Sequence, residues 1–117
     1  LVQSAAESMP FADDTFDVIS CVYLFHELPR PVRYLAAAEM SRVLKPDGVL
    51  VFMDSLQPDD FAPFNPLLEQ FPQEAHEPYY ADYLKDDLHA LFARNGLVTE
   101  VIDRAFFSRI MVLTPEL

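Results

Sequence analysis

Two kinds of apolar spacing take turns along this chain. From Phe16 to Phe25 the sequence FDVISCVYLF is almost continuously apolar, and the turn formers Ala12-Asp13-Asp14-Thr15 precede it. An unbroken run of that length predicts a strand buried on both faces, as in a parallel sheet. Pro29-Arg30-Pro31 then ends the strand and opens a helix, because proline is well tolerated in a first helical turn. Val32, Leu35, Ala36, Met40, Val43 and Leu44 fall on one helical stripe, with Arg33 and Arg42 off it. Pro46 forbids further helix, so Lys45-Pro46-Asp47-Gly48 predicts a turn and Val49 to Met53 a second doubly buried strand. Strand, helix and strand in one sheet make a βαβ unit, whose crossover is almost always right-handed.

Beyond it the pattern loosens. Ser55 to Ala81 holds half of the ten prolines together with Phe61, Phe64, Phe71, Tyr79 and Tyr80. Prolines break long elements while aromatics give a segment reason to pack, so 55–81 is expected to be an ordered lid or substrate segment. A short helix is expected around Asn65 to Phe71. Helical spacing returns over Asp82 to Asn95, with Leu84, Leu88, Leu91 and Phe92 on one face and Gly96 as a left-handed stop. Val98 to Asp103 and Phe107 to Thr114 predict an antiparallel hairpin.

Composition narrows the function. An apolar fraction of 51% over 117 residues allows one domain with a packed core. A net charge of −11 argues against nucleic acid and against anionic membrane surfaces. No apolar run reaches the roughly 18 residues of a membrane span. The one cysteine, Cys21, cannot form an internal disulfide, which makes a reducing cytoplasm the expected setting and a buried, inert thiol the expected state. His26, His76 and His89 are scattered without a ligand pattern, so no metal site is expected. No serine sits in a glycine elbow, which sets hydrolases aside. There are only two glycines, Gly48 and Gly96. A phosphate-cradling loop needs several close together, so a nucleotide-like cofactor must be held without one or by residues outside this chain. A nicotinamide dehydrogenase is disfavoured on the same ground. The chain begins with Leu1 and is expected to be a piece of a longer protein.

SAAESMPFADDTFDVIS, then CVYLFHELPRP, then RVLKPDGVLVFMD are similar to the class I S-adenosylmethionine-dependent methyltransferases, especially the ubiquinone and menaquinone methyltransferase branch. Leu44 to Gly48 matches the family's turn before its fifth strand, with Asp47 where a second glycine is usual. Leu84 to Leu97 matches its last helix. The resemblance implies an α/β fold in which residues 1–117 form one partial domain, the C-terminal half of a Rossmann-like sheet. In the family order 3-2-1-4-5-7-6, the chain would supply the block 4-5-7-6 with flanking helices, its last strands an antiparallel hairpin. The glycine-rich loop and the acidic ribose-binding residue would both precede Leu1. The implied activity is S-adenosylmethionine-dependent methyl transfer to an O, N or C nucleophile of a small molecule, with this chain inactive alone. The rival expectation is a non-catalytic interaction module derived from such a domain. In either case the strand at 16–25 lacks its family neighbour, and homodimerisation through that apolar edge is expected.

The resemblance also proposes site residues. Ala5 and Ala6 match positions bordering the adenine, although Ala5 lacks the side chain that often contacts it; small residues packing a tight turn fit them equally. Val22 matches a cofactor contact at the end of the fourth strand, and reads as well as a buried strand residue. His26 follows that strand at the lip of the site, as a general base or as a loop-orienting histidine. Glu7, Asp17 and Asp54 are read as capping or solvated carboxylates. Tyr79, Tyr80 and Tyr83 either line a substrate pocket or pack the lid down.

Overall fold

A computed structural model describes residues 4–75 and 78–116. Four strands form one sheet in the order β1-β2-β4-β3. β1 (Phe16–Val22) and β2 (Leu44–Ser55) pair in parallel, joined by helix α1 (Arg30–Val43). β3 (Leu97–Ala105) and β4 (Ser108–Pro115) form the hairpin, and β4 lies antiparallel to β2. This is the expected block, with the last two strands exchanged in space relative to the chain.

The core lies between the sheet and α1, with α3 (Tyr80–Lys85) and α4 (Leu88–Ala93) beside it. Leu50, Phe52, Met111 and Leu113 point into it, against Ala36, Ala37, Met40, Leu88, Leu91 and Phe92. Phe25, Phe52 and Phe92 meet there with ring centroids 5.0 to 5.8 Å apart, the spacing that aromatic packing favours.

Only one face of this sheet is deeply buried, which corrects the expectation of two doubly buried strands. Along β2, Leu50, Phe52 and Asp54 are buried while Val49, Val51 and Met53 are half-buried. β1 stands at the sheet edge, where Val18 is 63% and Val22 56% exposed. A continuous apolar run needs a layer on each face to be buried throughout, and among the described residues the helical core covers one. The strand also stops at Val22 rather than Phe25, because Tyr23 takes a positive φ of 52° and turns the chain out of the sheet.

Three other expectations shift. Lys45-Pro46-Asp47-Gly48 is not a free turn: β2 begins at Leu44, directly after the helix, and the segment bulges from the ladder. Phe16 pairs with Leu44 and Val18 with Val49, so five residues of β2 advance while β1 advances two. Gly48 is required there, since a Cβ would stand 2.9 Å from the Asp17 carbonyl oxygen. On α1 the buried stripe runs through Arg33, Ala36, Ala37, Met40 and Val43, with Leu35 exposed. Arg33 thus lies on the core side, where carboxylates from α3 compensate its charge. The helix predicted over Asp82 to Asn95 is two helices, broken where Asp87 caps α4 by accepting from the Ala90 N–H at 3.0 Å. Gly96 takes the left-handed stop as predicted, at φ 73°. In the 55–81 segment, α2 (Asn65–Ala75) follows a single 3₁₀ turn at Ala62–Phe64, longer than the helix expected there.

Candidate functional site at the carboxyl ends of the parallel strands

β1 and β2 run parallel and finish together, Val22 beside Met53. Crevices at the carboxyl ends of parallel strands are where open α/β sheets bind ligands. The chain leaves β1 through Tyr23, whose N–H donates to the Met53 carbonyl at 2.8 Å. A 3₁₀ turn at Phe25–Glu27 follows, anchored by the fully buried Phe25. This turn carries His26 back over the end of β2 and onto Asp54.

Asp54 is fully buried and organises the junction. Its Oδ2 accepts from the Phe25 N–H at 2.8 Å and, more distantly, the His26 N–H at 3.4 Å. Its Oδ1 accepts from the Ser55 N–H at 2.7 Å and lies 2.8 Å from His26 Nδ1. The His26 side chain keeps 11% of its surface exposed, and its Nε2 is 3.7 Å from Oε1 of the exposed Glu27. The Tyr80 and Tyr83 rings cover the imidazole, with centroids 5.5 and 6.4 Å away. Tyr80 hydrogen-bonds the Ser55 hydroxyl, and the Tyr83 hydroxyl donates to the Ser55 carbonyl at 2.6 Å. Burial first, and then the Asp54 charge, push the Tyr83 phenol well above its ordinary range, so it stays a neutral donor. The same two causes raise the Cys21 thiol to about 12, which makes it the inert thiol expected.

A second polar cluster holds this roof in place. Arg33 is fully buried; its Nη1 donates to the Leu28 carbonyl at 2.6 Å, its Nε to Asp86 at 3.1 Å and its Nη2 to Asp82. Arg30 Nε adds a 3.1 Å bond to Asp82. Burial alone would raise the Asp82 carboxyl, but hydrogen bonds from Arg30 and Arg33 prevail and hold it below its ordinary value. Gln57 Nε2 donates to the carbonyls of Tyr83 and Asp86 at 2.8 and 2.6 Å, tying the segment after β2 to α3.

The sequence-proposed residues fall into two groups. His26 and Val22 sit at the strand ends, with Val22 exposed instead of buried. Ala5 and Ala6 enter from the segment before β1, where the Ser8 N–H closes a 3.1 Å bond on the Ala5 carbonyl. Ala5 is exposed, and Ala6 packs partly on the core. Small and apolar, none of the three side chains offers a hydrogen bond or a charge. Of the tyrosines, Tyr80 and Tyr83 are buried as packing and Tyr79 is exposed. Asp17 stays exposed beside Lys45 at 3.3 Å, as a solvated carboxylate.

Asp54 is the residue whose role the sequence reading does not show, because a carboxylate at a strand's end reads as a capping or solvated group. The signal was there: it stands two residues beyond Phe52 and four beyond Leu50, on the face that strand alternation sends into the core. Among the described residues no cluster of three or more His, Cys, Asp or Glu side chains is arranged to hold a metal, and no helix is long and apolar enough to cross a membrane.

Known proteins resemble this chain in sequence and in fold. A family described as "Methyltransferase domain" matches residues 1–52. The uncharacterized methyltransferase YcgJ of Bacillus subtilis is 33% identical over 106 residues, covering 87% of this chain and 39% of its own length. Its crystal structure superposes with a TM-score of 0.60 over 88% of this chain and 42% of that one, at 30% identity. The demethylmenaquinone methyltransferase of Staphylococcus carnosus is 40% identical over 58 residues, which is 50% of this chain and 23% of that protein. A S-adenosylmethionine-dependent methyltransferase from Aquifex aeolicus shares the fold, with a TM-score of 0.62 at 20% identity over 97% of this chain and 53% of that one. These likenesses support a class I S-adenosylmethionine-dependent methyltransferase. The chain spans about four tenths of the length of YcgJ, the relative it matches over most of its residues.

Proposed function

We propose that this chain provides the acceptor side of an S-adenosylmethionine-dependent methyltransferase acting on a small-molecule nucleophile. The observation that carries the reading is the His26–Asp54 pair, buried at the carboxyl ends of two parallel strands and roofed by tyrosines. The bound cofactor supplies an electrophilic methyl group on its sulfonium. Ala5 and Ala6 border the adenine through shape and backbone, Val22 touches the cofactor through its carbonyl or apolar surface, and His26 faces the acceptor. Acceptor specificity is written in 55–81 and the adjoining α3, which closes over His26. The glycine-rich loop and the ribose-binding carboxylate come from outside these residues, so the chain by itself is inactive. A cytoplasmic setting agrees with the lone thiol of Cys21.

Two measurements test this. Titrating S-adenosylmethionine into the isolated chain should give no binding in the micromolar range, and micromolar affinity would overturn the division of the site. In the full-length protein, His26→Gln should lower the methyl-transfer rate by about 10²-fold, the low end of what a positioned general base contributes. An unchanged rate would reduce His26 to orienting its loop.

The exposed edge of β1 supports a second reading, an interaction module that self-associates through Val18 and Val22. The two readings separate on whether the full-length protein binds the cofactor.

A further inference from the structure

We propose that Asp54 is a positioning residue that holds the His26 ring as its Nδ1–H tautomer and so makes Nε2 the atom that receives the acceptor's proton. The proposal rests on the methyltransferase reading above and deepens it. Three backbone N–H groups point at the Asp54 carboxylate, from Phe25, His26 and Ser55. An ionised carboxylate can only accept hydrogen bonds. The 2.8 Å contact from Oδ1 to His26 Nδ1 therefore requires the ring to donate there. A neutral imidazole that donates at one nitrogen accepts at the other.

The other groups around the ring are compatible with that assignment. Tyr80 and Tyr83 from α3 and Tyr23 from the end of β1 pack its faces and edges with centroids 5.5 to 6.4 Å away. Glu27 Oε1 lies 3.7 Å from Nε2. In the step itself the acceptor's X–H bond breaks and its proton goes to Nε2. The electron pair left on X takes the methyl group, while the sulfonium sulfur keeps the pair of the broken S–C bond. The imidazolium then lies between the Asp54 and Glu27 carboxylates, which favour its charge.

The geometry around Asp54 gives a variant with a signed outcome. In Asp54→Ala the oxygen that holds the proton on Nδ1 is gone, and the ring should leave the single Nδ1–H tautomer for the Nε2–H form or a mixture of the two.

The test is two-bond ¹H–¹⁵N spectroscopy of the chain with ¹⁵N-labelled histidine, at a pH where the ring is neutral. His76→Gln and His89→Gln variants assign the His26 signals. The wild-type protein should show a protonated, pyrrole-type Nδ1 and an unprotonated, pyridine-type Nε2, and Asp54→Ala should lose that single pattern. A wild-type ring protonated at Nε2, or an Asp54→Ala spectrum with Nδ1 still fully pyrrole-type, would overturn the proposal. If Asp54→Ala does not fold, the wild-type spectrum decides alone. Failure of the methyltransferase reading shows up separately, as a full-length protein that does not bind S-adenosylmethionine, and leaves the tautomer result standing.

Discussion

Asp54 shows how much a single buried carboxylate can organise. It collects the 3₁₀ turn after β1, the start of the segment after β2 and the His26 ring on two oxygen atoms. Truncation to alanine leaves buried N–H groups without an acceptor, each costing about 1–3 kcal/mol, so Asp54→Ala should lose about 3 kcal/mol or more. The measurement is a urea titration in which the midpoint falls while the slope stays constant. Cys21 gives a second expectation at this scale. With its thiol at about 12, almost no thiolate is present at pH 8, and burial blocks access to it. A thiol reagent should therefore react with the native chain only at the rate at which it opens, and rapidly in denaturant. His26 was legible in the sequence because a histidine directly after an apolar strand stands out. Asp54 was legible only to someone counting alternation through VLVFMD, since a carboxylate ending a strand ordinarily faces water.

At the level of elements, α3 is held to α1 by charge. Arg33 and Arg30 grip Asp82 and Asp86 across the interface, and the Asp86 side chain is only 3% exposed. The folded Asp82 carboxyl lies below its ordinary value of 3.8, so its stabilisation is complete above that pH and fades as pH falls through the depressed value. The tyrosine roof over His26 should therefore loosen below about pH 4, seen as a change in near-ultraviolet tyrosine circular dichroism. Asp82→Asn should weaken the roof at neutral pH and flatten that acid dependence. Arg33→Met leaves buried Asp86 with the half-exposed Arg30 at 3.6 Å in place of its buried partner, a loss that should approach the cost of breaking a buried pair, about 3–5 kcal/mol. Helix, strand and hairpin were largely readable from spacing and stop signals, Gly96 included. What spacing could not show was charge placed on a core stripe. Arg33 reads as surface until the partners 49 and 53 residues away are known. The break at Asp86–Asp87 was hidden for the same reason, because Leu84, Leu88 and Leu91 keep one period across it.

For the molecule as a whole, strand order was the most legible feature, since it came with a family resemblance that fixed all four places in the sheet. Burial of the strands was not, because one sequence cannot reveal which faces other segments cover. The β1 edge leaves Val18 and Val22 open to water, and the chain should self-associate with concentration in sedimentation velocity. Val18→Lys should shift that equilibrium toward monomer, and a wild-type chain monomeric at every concentration would remove the edge as an association surface. The direct passage from α1 into β2 sets a different kind of limit. Leu44 is at once the helix C-cap and the first residue of the strand, with no spacer between. One residue inserted between Val43 and Leu44 would turn the helix by about 100° relative to the sheet, or else slip β2 and exchange its two faces. Neither Arg33 nor Asp54 would then meet its partners. Two to three residues beyond Leu44, the bulge at exposed Pro46 and Asp47 can take up an extra residue outside the ladder. Length variation tolerated in this protein should therefore fall at the bulge and in the long segment after β2, and the helix-to-strand junction acts as a fixed gauge that sets the distance between the site's two halves.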